Sequence, residues 1–210
     1  MGNLIIKGKG GAGNKLILQD QAGAAVLTTA DSGATIANVT ITGVSAFPAG
    51  HIIQLVQGTD ATATTHGSAT YTNTPYNGLN TSITPKYSTS KILVMLNASV
   101  AHHGPGGDTH HVKLQRDPTG SPVDIGVGTP TGSLDGTTFS MRLAEEHSMM
   151  HQTICYLDSP ATTSATTYGI TGRRNGTQGT AAYNMPQNTS TSDANMARHI
   201  SIITLMEIAQ

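Results

Sequence analysis

Ser90-Lys91-Ile92-Leu93-Val94-Met95-Leu96-Asn97-Ala98-Ser99-Val100 reads as one long β-strand, built from aliphatic side chains that fit a pleated surface. Shorter runs of the same kind lie around it. His51-Ile52-Ile53-Gln54-Leu55-Val56-Gln57 precedes it, and His111-Val112-Lys113-Leu114-Gln115-Arg116 follows after Gly104-Pro105-Gly106-Gly107. The turn at Asp117-Pro118-Thr119-Gly120 leads to Val123–Val127, and further strands are expected at Met149–Leu157, Thr166–Arg173 and Ile200–Ile208. Seven or more strands separated by turn signals, with no helical window between them, predict an antiparallel β-sandwich of jelly-roll type. A C-terminal strand as apolar as Ile202-Ile203-Thr204-Leu205-Met206 is expected at the centre of its sheet or between subunits.

Composition points the same way. The 210 residues are 37% hydrophobic, enough for a core, yet only 11% are charged, with 24 Gly, 2 Phe and no Trp. An ordinary domain has roughly 25% charged residues, and a helical one needs Leu, Glu, Lys and Arg to clothe its solvent faces. An all-β chain is what this composition supports. Lys and Arg total 11 against 12 Asp and Glu, so no cationic excess exists for a phosphate backbone, and nucleic acid is not an expected partner. No apolar stretch reaches the roughly 20 residues of a membrane span, and no signal-peptide core precedes Lys7, so synthesis in a cytoplasm without membrane insertion is expected. Cys155 lies in an apolar run, where a buried and inert thiol is the expectation.

Residues 1–50 have a different texture. Leu4-Ile5-Ile6, Leu16-Ile17-Leu18, Ala25-Val26-Leu27 and Val39-Thr40-Ile41 are short apolar clusters spaced by glycine-rich turns. Strands this short need a neighbouring surface, which a partner chain can supply by edge pairing. Residues 1–50 therefore read as an attachment arm whose partner-binding residues are Leu4, Ile5, Ile6, Leu16, Ile17, Leu18, Val26 and Leu27. Gly43–Gly50 reads as a hinge into a head domain at 51–210.

Several apparent motifs fail on context. Gly8, Gly10 and Gly13 spell G-x-G-x-x-G, but Leu16-Ile17-Leu18 continues as a strand where a dinucleotide fold needs a helix. His147 and His151 have zincin spacing, but Ser148 stands where the general-base Glu belongs. Glu145 and Glu146 are adjacent, so on a strand they point to opposite faces and cannot flank one bond. The doublets His102-His103 and His110-His111 flank the Gly104–Gly107 turn, and a hairpin there would bring four rings together. These four are metal candidates, as are His147 and His151 if they share one face of a strand; the reading adopted is polar or interface histidines, no metal, no cofactor and no enzymatic activity.

Ser82-Ile83-Thr84-Pro85, Ser90-Lys91-Ile92-Leu93-Val94, Leu157-Asp158-Ser159-Pro160, Ser164-Ala165-Thr166-Thr167-Tyr168 and Ile202-Ile203-Thr204-Leu205-Met206-Glu207-Ile208, in that order, resemble a C-terminal domain of tailed-bacteriophage virion proteins. The likeness covers about residues 51–210. It implies a jelly-roll-like head forming a homotrimer on the virion surface, without enzymatic activity, and it transfers no functional residues. Fibres have long shafts, whereas here about fifty residues precede the head. That favours a capsid decoration (cement) protein whose arm binds the major capsid protein. The alternative is a short tail or head fibre that joins a tail or baseplate protein and binds a host surface glycan through loops such as Tyr71–Tyr76 or Tyr183-Asn184. A polysaccharide-cleaving spike would need a convergent acid pair, and the acids are scattered. Ile92, Val94, Leu96, Ile202, Thr204 and Met206 are the expected trimer interface.

Overall fold

The computed structural model describes residues 17–19, 22, 25–30, 33–35, 48–74, 76–103, 108–142, 148–176, 180–186, 194 and 196–210. The chain divides into two compact units, Met1–Ala46 and Phe47–Gln210, a boundary that falls inside the expected hinge. In the first unit, β1 (Ile17–Gln19), β2 (Ala25–Ala30) and β3 (Gly33–Thr35) form a three-stranded antiparallel sheet in that order. Of the expected arm residues, Ile17, Leu18, Val26 and Leu27 fall on β1 and β2, described by backbone only. Leu4, Ile5, Ile6 and Leu16 lie outside the described residues.

The second unit is all-β apart from a 3-10 turn at Tyr76–Leu79. Its strands are β4 (Ile52–Asp60), β5 (Thr64–His66), β6 (Thr81–Ile83), β7 (Lys91–His103), β8 (Thr109–Arg116), β9 (Val123–Ile125), β10 (Phe139–Met141), β11 (Met150–Asp158), β12 (Thr166–Asn175), β13 (Thr180–Tyr183) and β14 (Ser201–Ile208). They form two antiparallel sheets around a shared core, the arrangement of a β-sandwich.

Strand β7 organises the first sheet. One edge pairs with β11 from Ile92 to Val100; the other pairs with β14 from Lys91 to Asn97 and then with β13 from Val100 to His103. Strand β4 pairs β14 and β5 pairs β13, so both continue the sheet outward. The C-terminal strand is therefore central, as its apolar run predicted. The second sheet is built on β8 and β12, with β6 beside β12 and with β9 and β10 beside β8.

Alternation sends Ile92, Val94, Leu96, Ala98 and Val100 inward, where each is at most 1% exposed. They meet Ile203 and Leu205 of β14 and Val112, Leu114, Tyr168 and Ile170 of the second sheet in one core cluster. The expectation that Ile92, Val94 and Leu96 form a contact between subunits is thereby corrected. Their side chains are used up in the chain's own core, and a neighbouring copy cannot touch them.

The expected hairpin at Gly104–Gly107 is also corrected. Strands β7 and β8 belong to different sheets, so their connection passes from one layer to the other and does not pair them. Cys155 is exposed, not buried, because it points outward from β11, opposite in parity to half-buried Ile154 and Tyr156.

Polar groups tie the layers together. Asp158 on β11 accepts the Tyr168 hydroxyl at 2.7 Å and Arg116 Nη1 at 2.9 Å, reaching from the first sheet to β12 and β8 of the second. Glu207, fully buried on β14, accepts Gln54 Nε2 at 2.6 Å and the backbone N–H groups of Lys86 at 2.7 Å and Tyr87 at 3.2 Å. A buried carboxylate is tolerated when donors saturate it. It fixes the Pro85-Lys86-Tyr87 segment that leads into β7. Glu207→Ala, which strands those donors, is expected to lower unfolding free energy by about 2–3 kcal/mol in urea titrations, whereas Ser82→Ala, removing an exposed hydroxyl pair with Thr167, stays within about 0.5 kcal/mol.

Candidate functional site

The two outer faces of the sandwich are chemically unlike. On the second sheet, outward residues of β8 and β12 build a charged network. Lys113 Nζ lies 2.8 Å from Asp124 Oδ2, and Gln115 Nε2 donates to Asp124 Oδ1 at 2.6 Å. Asp135, from the loop before β10, accepts Arg173 Nε at 3.0 Å and the Tyr71 hydroxyl, and lies 3.6 Å from His111 Nδ1. Those donors, with the Lys113 and Arg173 charges, hold the Asp135 carboxyl below its ordinary range against the opposing effect of desolvation. Lys113 and Arg173 also sit 4.4 and 5.4 Å from the Tyr71 ring centre, so that ring is occupied by cations.

The outer face of the first sheet is nearly uncharged, and it is apolar towards the end at which β7 begins. Register places Leu55, Met206, Leu93 and Leu157 in one row across β4, β14, β7 and β11. The next row is Gln57, Thr204, Met95 and Cys155, and the third is Thr59, Ile202, Asn97 and Thr153. Ile52, Ile208 and Lys91 close the end at which β7 begins. Ile52, Leu55, Met95 and Leu157 are 50%, 55%, 42% and 45% exposed, while Leu93, Ile202, Thr204, Met206 and Ile208 are half-buried. Of the expected interface residues, Ile202, Thr204 and Met206 are on this face. Leu93, Met95, Leu55 and Leu157, not singled out from the sequence, complete it. The available signal was the unbroken run Ile92–Leu96: a strand apolar at both parities has two faces to cover.

At its other end the face meets a cleft of about 540 Å³ lined by Ala61, His151, Arg198, His199 and Ile200. The His151 and His199 rings stack with centres 4.7 Å apart and planes 4° from parallel. His151 Nδ1 pairs with Asn97 Oδ1 at 3.0 Å, and His199 Nδ1 with Ser99 Oγ at 3.1 Å. Burial and the neighbouring His151 push the His199 pKa down, which favours the uncharged ring in the stack.

The second histidine doublet is split between two sides of its strand. His110 and His111 are neighbours on β8 and face opposite sides: fully buried His110 is hydrogen-bonded through Nε2 to the Tyr76 hydroxyl at 2.6 Å, and His111 joins the Asp135 network. His102 and His103 are described by backbone only, and His147, Glu145 and Glu146 lie outside the described residues. The close histidine pair inside the sandwich is His66 on β5 and His110, with ring centres 5.2 Å apart, a proximity no sequence spacing announced. Gly172 makes room for it, since a Cβ there would stand 2.6 Å from His110 Nε2 and 2.8 Å from the Tyr76 hydroxyl. Among the described residues no group of three or more His, Cys, Asp or Glu is placed to hold a metal. Nor is any described helix long and apolar enough to cross a membrane.

No protein-family model matches the chain, and no curated protein matches it.

Burial lowers the pKa of His66, His111 and His199 below the ordinary 6.5. As pH falls below 6.5, the unfolded chain takes up protons at these rings before the folded chain does, so their contribution to stability is intact above 6.5 and declines on acidification. Urea midpoints are expected to change little from pH 7.5 to about 6.5 and to fall from there to pH 5, and His66→Gln is expected to flatten part of that slope.

Proposed function

We propose that the chain is a structural protein of a tailed-phage particle: a homotrimeric capsid decoration (cement) protein located on the virion surface. Its N-terminal unit attaches to the major capsid protein, and its jelly-roll-like head projects. The observation that carries the reading is the division at Ala46 and Phe47 into a small unit of strands three to six residues long and a larger sandwich. Short strands between glycine-rich turns suit attachment by strand addition to a neighbouring surface.

The carboxylates of the sandwich support a structural role. Asp124, Asp135, Asp158 and Glu207 are each engaged by cations, a tyrosine or backbone amides that hold sheets and loops in place. The glycan-binding fibre is the less favoured reading because the aromatic platforms it requires are occupied. Tyr76 and Tyr183 are 0% and 1% exposed, Asn184 is buried with them, and the Tyr71 ring is covered by cations. Stacking on a sugar needs an open ring face.

Particles assembled without this protein are expected to adsorb to host cells normally but to burst at a lower temperature or in low salt, and added protein is expected to restore their stability. Unchanged capsid stability combined with lost adsorption would overturn decoration in favour of the fibre.

A further inference from the structure

We infer that the outer face of the first sheet packs against the same face of further copies of this chain, with Leu93, Met95 and Met206 at its centre and Leu55 and Leu157 on its flanks. The inference names the surface for the homotrimer in the reading above and rests on that reading for the number of copies.

Charge selects the occupant. Across the outward positions of β4, β14, β7 and β11 the sole Asp, Glu, Lys or Arg is Lys91, at the end of the face. An acidic or basic partner would find little to pair with. Identical faces bring no like charges together at their centre, and burying an unpaired charge is the main penalty that contact between copies must avoid. The opposite outer face shows the contrast: its Lys113, Arg173, Asp124 and Asp135 satisfy one another within the chain.

Area agrees. Four strands about 4.8 Å apart and nine residues of about 3.3 Å each give a projected face of roughly 570 Å². Protruding side chains raise the accessible area above that projection, towards the roughly 800 Å² that each partner contributes to a standard interface. Leu55, Leu93, Met95, Leu157, Ile202 and Met206 supply the apolar part of the face, and uncharged Gln57, Thr59, Asn97, Thr153 and Thr204 the rest. The inward row of β7 builds the core and leaves the outward row, equally aliphatic at Leu93 and Met95, with no covering layer among the described residues.

Cys155 stands opposite Met95 in the register and is exposed, so it reports on the face without any substitution. Native mass spectrometry and light scattering of the full chain at micromolar concentration are expected to show an oligomer whose Cys155 reacts with a maleimide at least about tenfold more slowly than a free surface thiol. Met95→Glu, which places a charge at the centre, is expected to weaken association about a hundredfold or more and to release Cys155. Leu157→Lys, on the outermost strand, should act in the same direction if Met95→Glu perturbs folding as judged by circular dichroism. Val123→Glu, the same kind of change at an exposed position of the second sheet, should leave the oligomer intact. A monomeric wild type with a freely reactive Cys155 would overturn both this inference and the trimer. An oligomer indifferent to Met95→Glu and Leu157→Lys, with Cys155 reactive, would overturn this inference alone and leave the trimer to another surface. A wild-type monomer whose Cys155 becomes protected only on capsids would assign the face to the capsid protein and overturn contact between copies.

Discussion

Strand β7 is hydrogen-bonded along both edges, and the rest of the sandwich depends on that placement. A strand with neighbours on both sides cannot rotate about its axis, so its alternation is locked. Ile92, Val94, Leu96, Ala98 and Val100 must then supply the core from this strand. Leu93 and Met95 must point away from it. The inward row buries apolar area at roughly 25 cal/mol per Å², the main favourable contribution to the fold of a chain so poor in aromatics. The outward row extends the same chemistry onto the surface, which makes one face of the molecule unlike the other.

Polar residues serve geometry in this fold. Asp158 reaches from β11 to Arg116 and Tyr168 in the opposite sheet, and Glu207 anchors the segment that enters β7 through the Lys86 and Tyr87 amides. Asn184 joins Asp60, Ser201 and Ser99 at the junction where β13 gives way to β14: its Nδ2 donates to the Asp60 carbonyl, its Oδ1 accepts the Ser201 hydroxyl, and its N–H donates to the Ser99 carbonyl. Asp158, Glu207 and Asn184 are each held by partners that fix a strand end or a crossing between layers, which is the condition under which burial of polarity is tolerated. Tyr76 and His110 are hydrogen-bonded between the sheets at one end of the sandwich, and the His66 ring packs against both.

The long strands were legible in the sequence. Runs at residues 51–57, 90–100, 111–116, 149–157, 166–173 and 200–208 all correspond to strands, with ends that differ by at most three residues, because apolar runs bounded by turn signals report strands directly. Strands β5, β6, β10 and β13 were not legible. Each has three or four residues and pairs only through partners far away in the chain, as His66 does with Ala181 and Phe139 with Val112. A hairpin between the histidine doublets is not formed for a related reason: β7 and β8 lie in different sheets, a placement that spacing along the chain does not announce.

What the amino-acid sequence determined by itself is the class: an all-β protein, with short strands near the N-terminus and longer ones further along the chain. Local patterning and composition act residue by residue, so they survive without knowledge of partners. What only the tertiary structure decided is which side of each strand is inside. The run Ile92-Leu93-Val94-Met95-Leu96 is apolar at both parities, so hydrophobicity cannot choose between Ile92, Val94 and Leu96 on one side and Leu93 and Met95 on the other. Pairing with β11 and β14 and the packing of the second sheet made that choice, and with it exchanged the core for the exposed face.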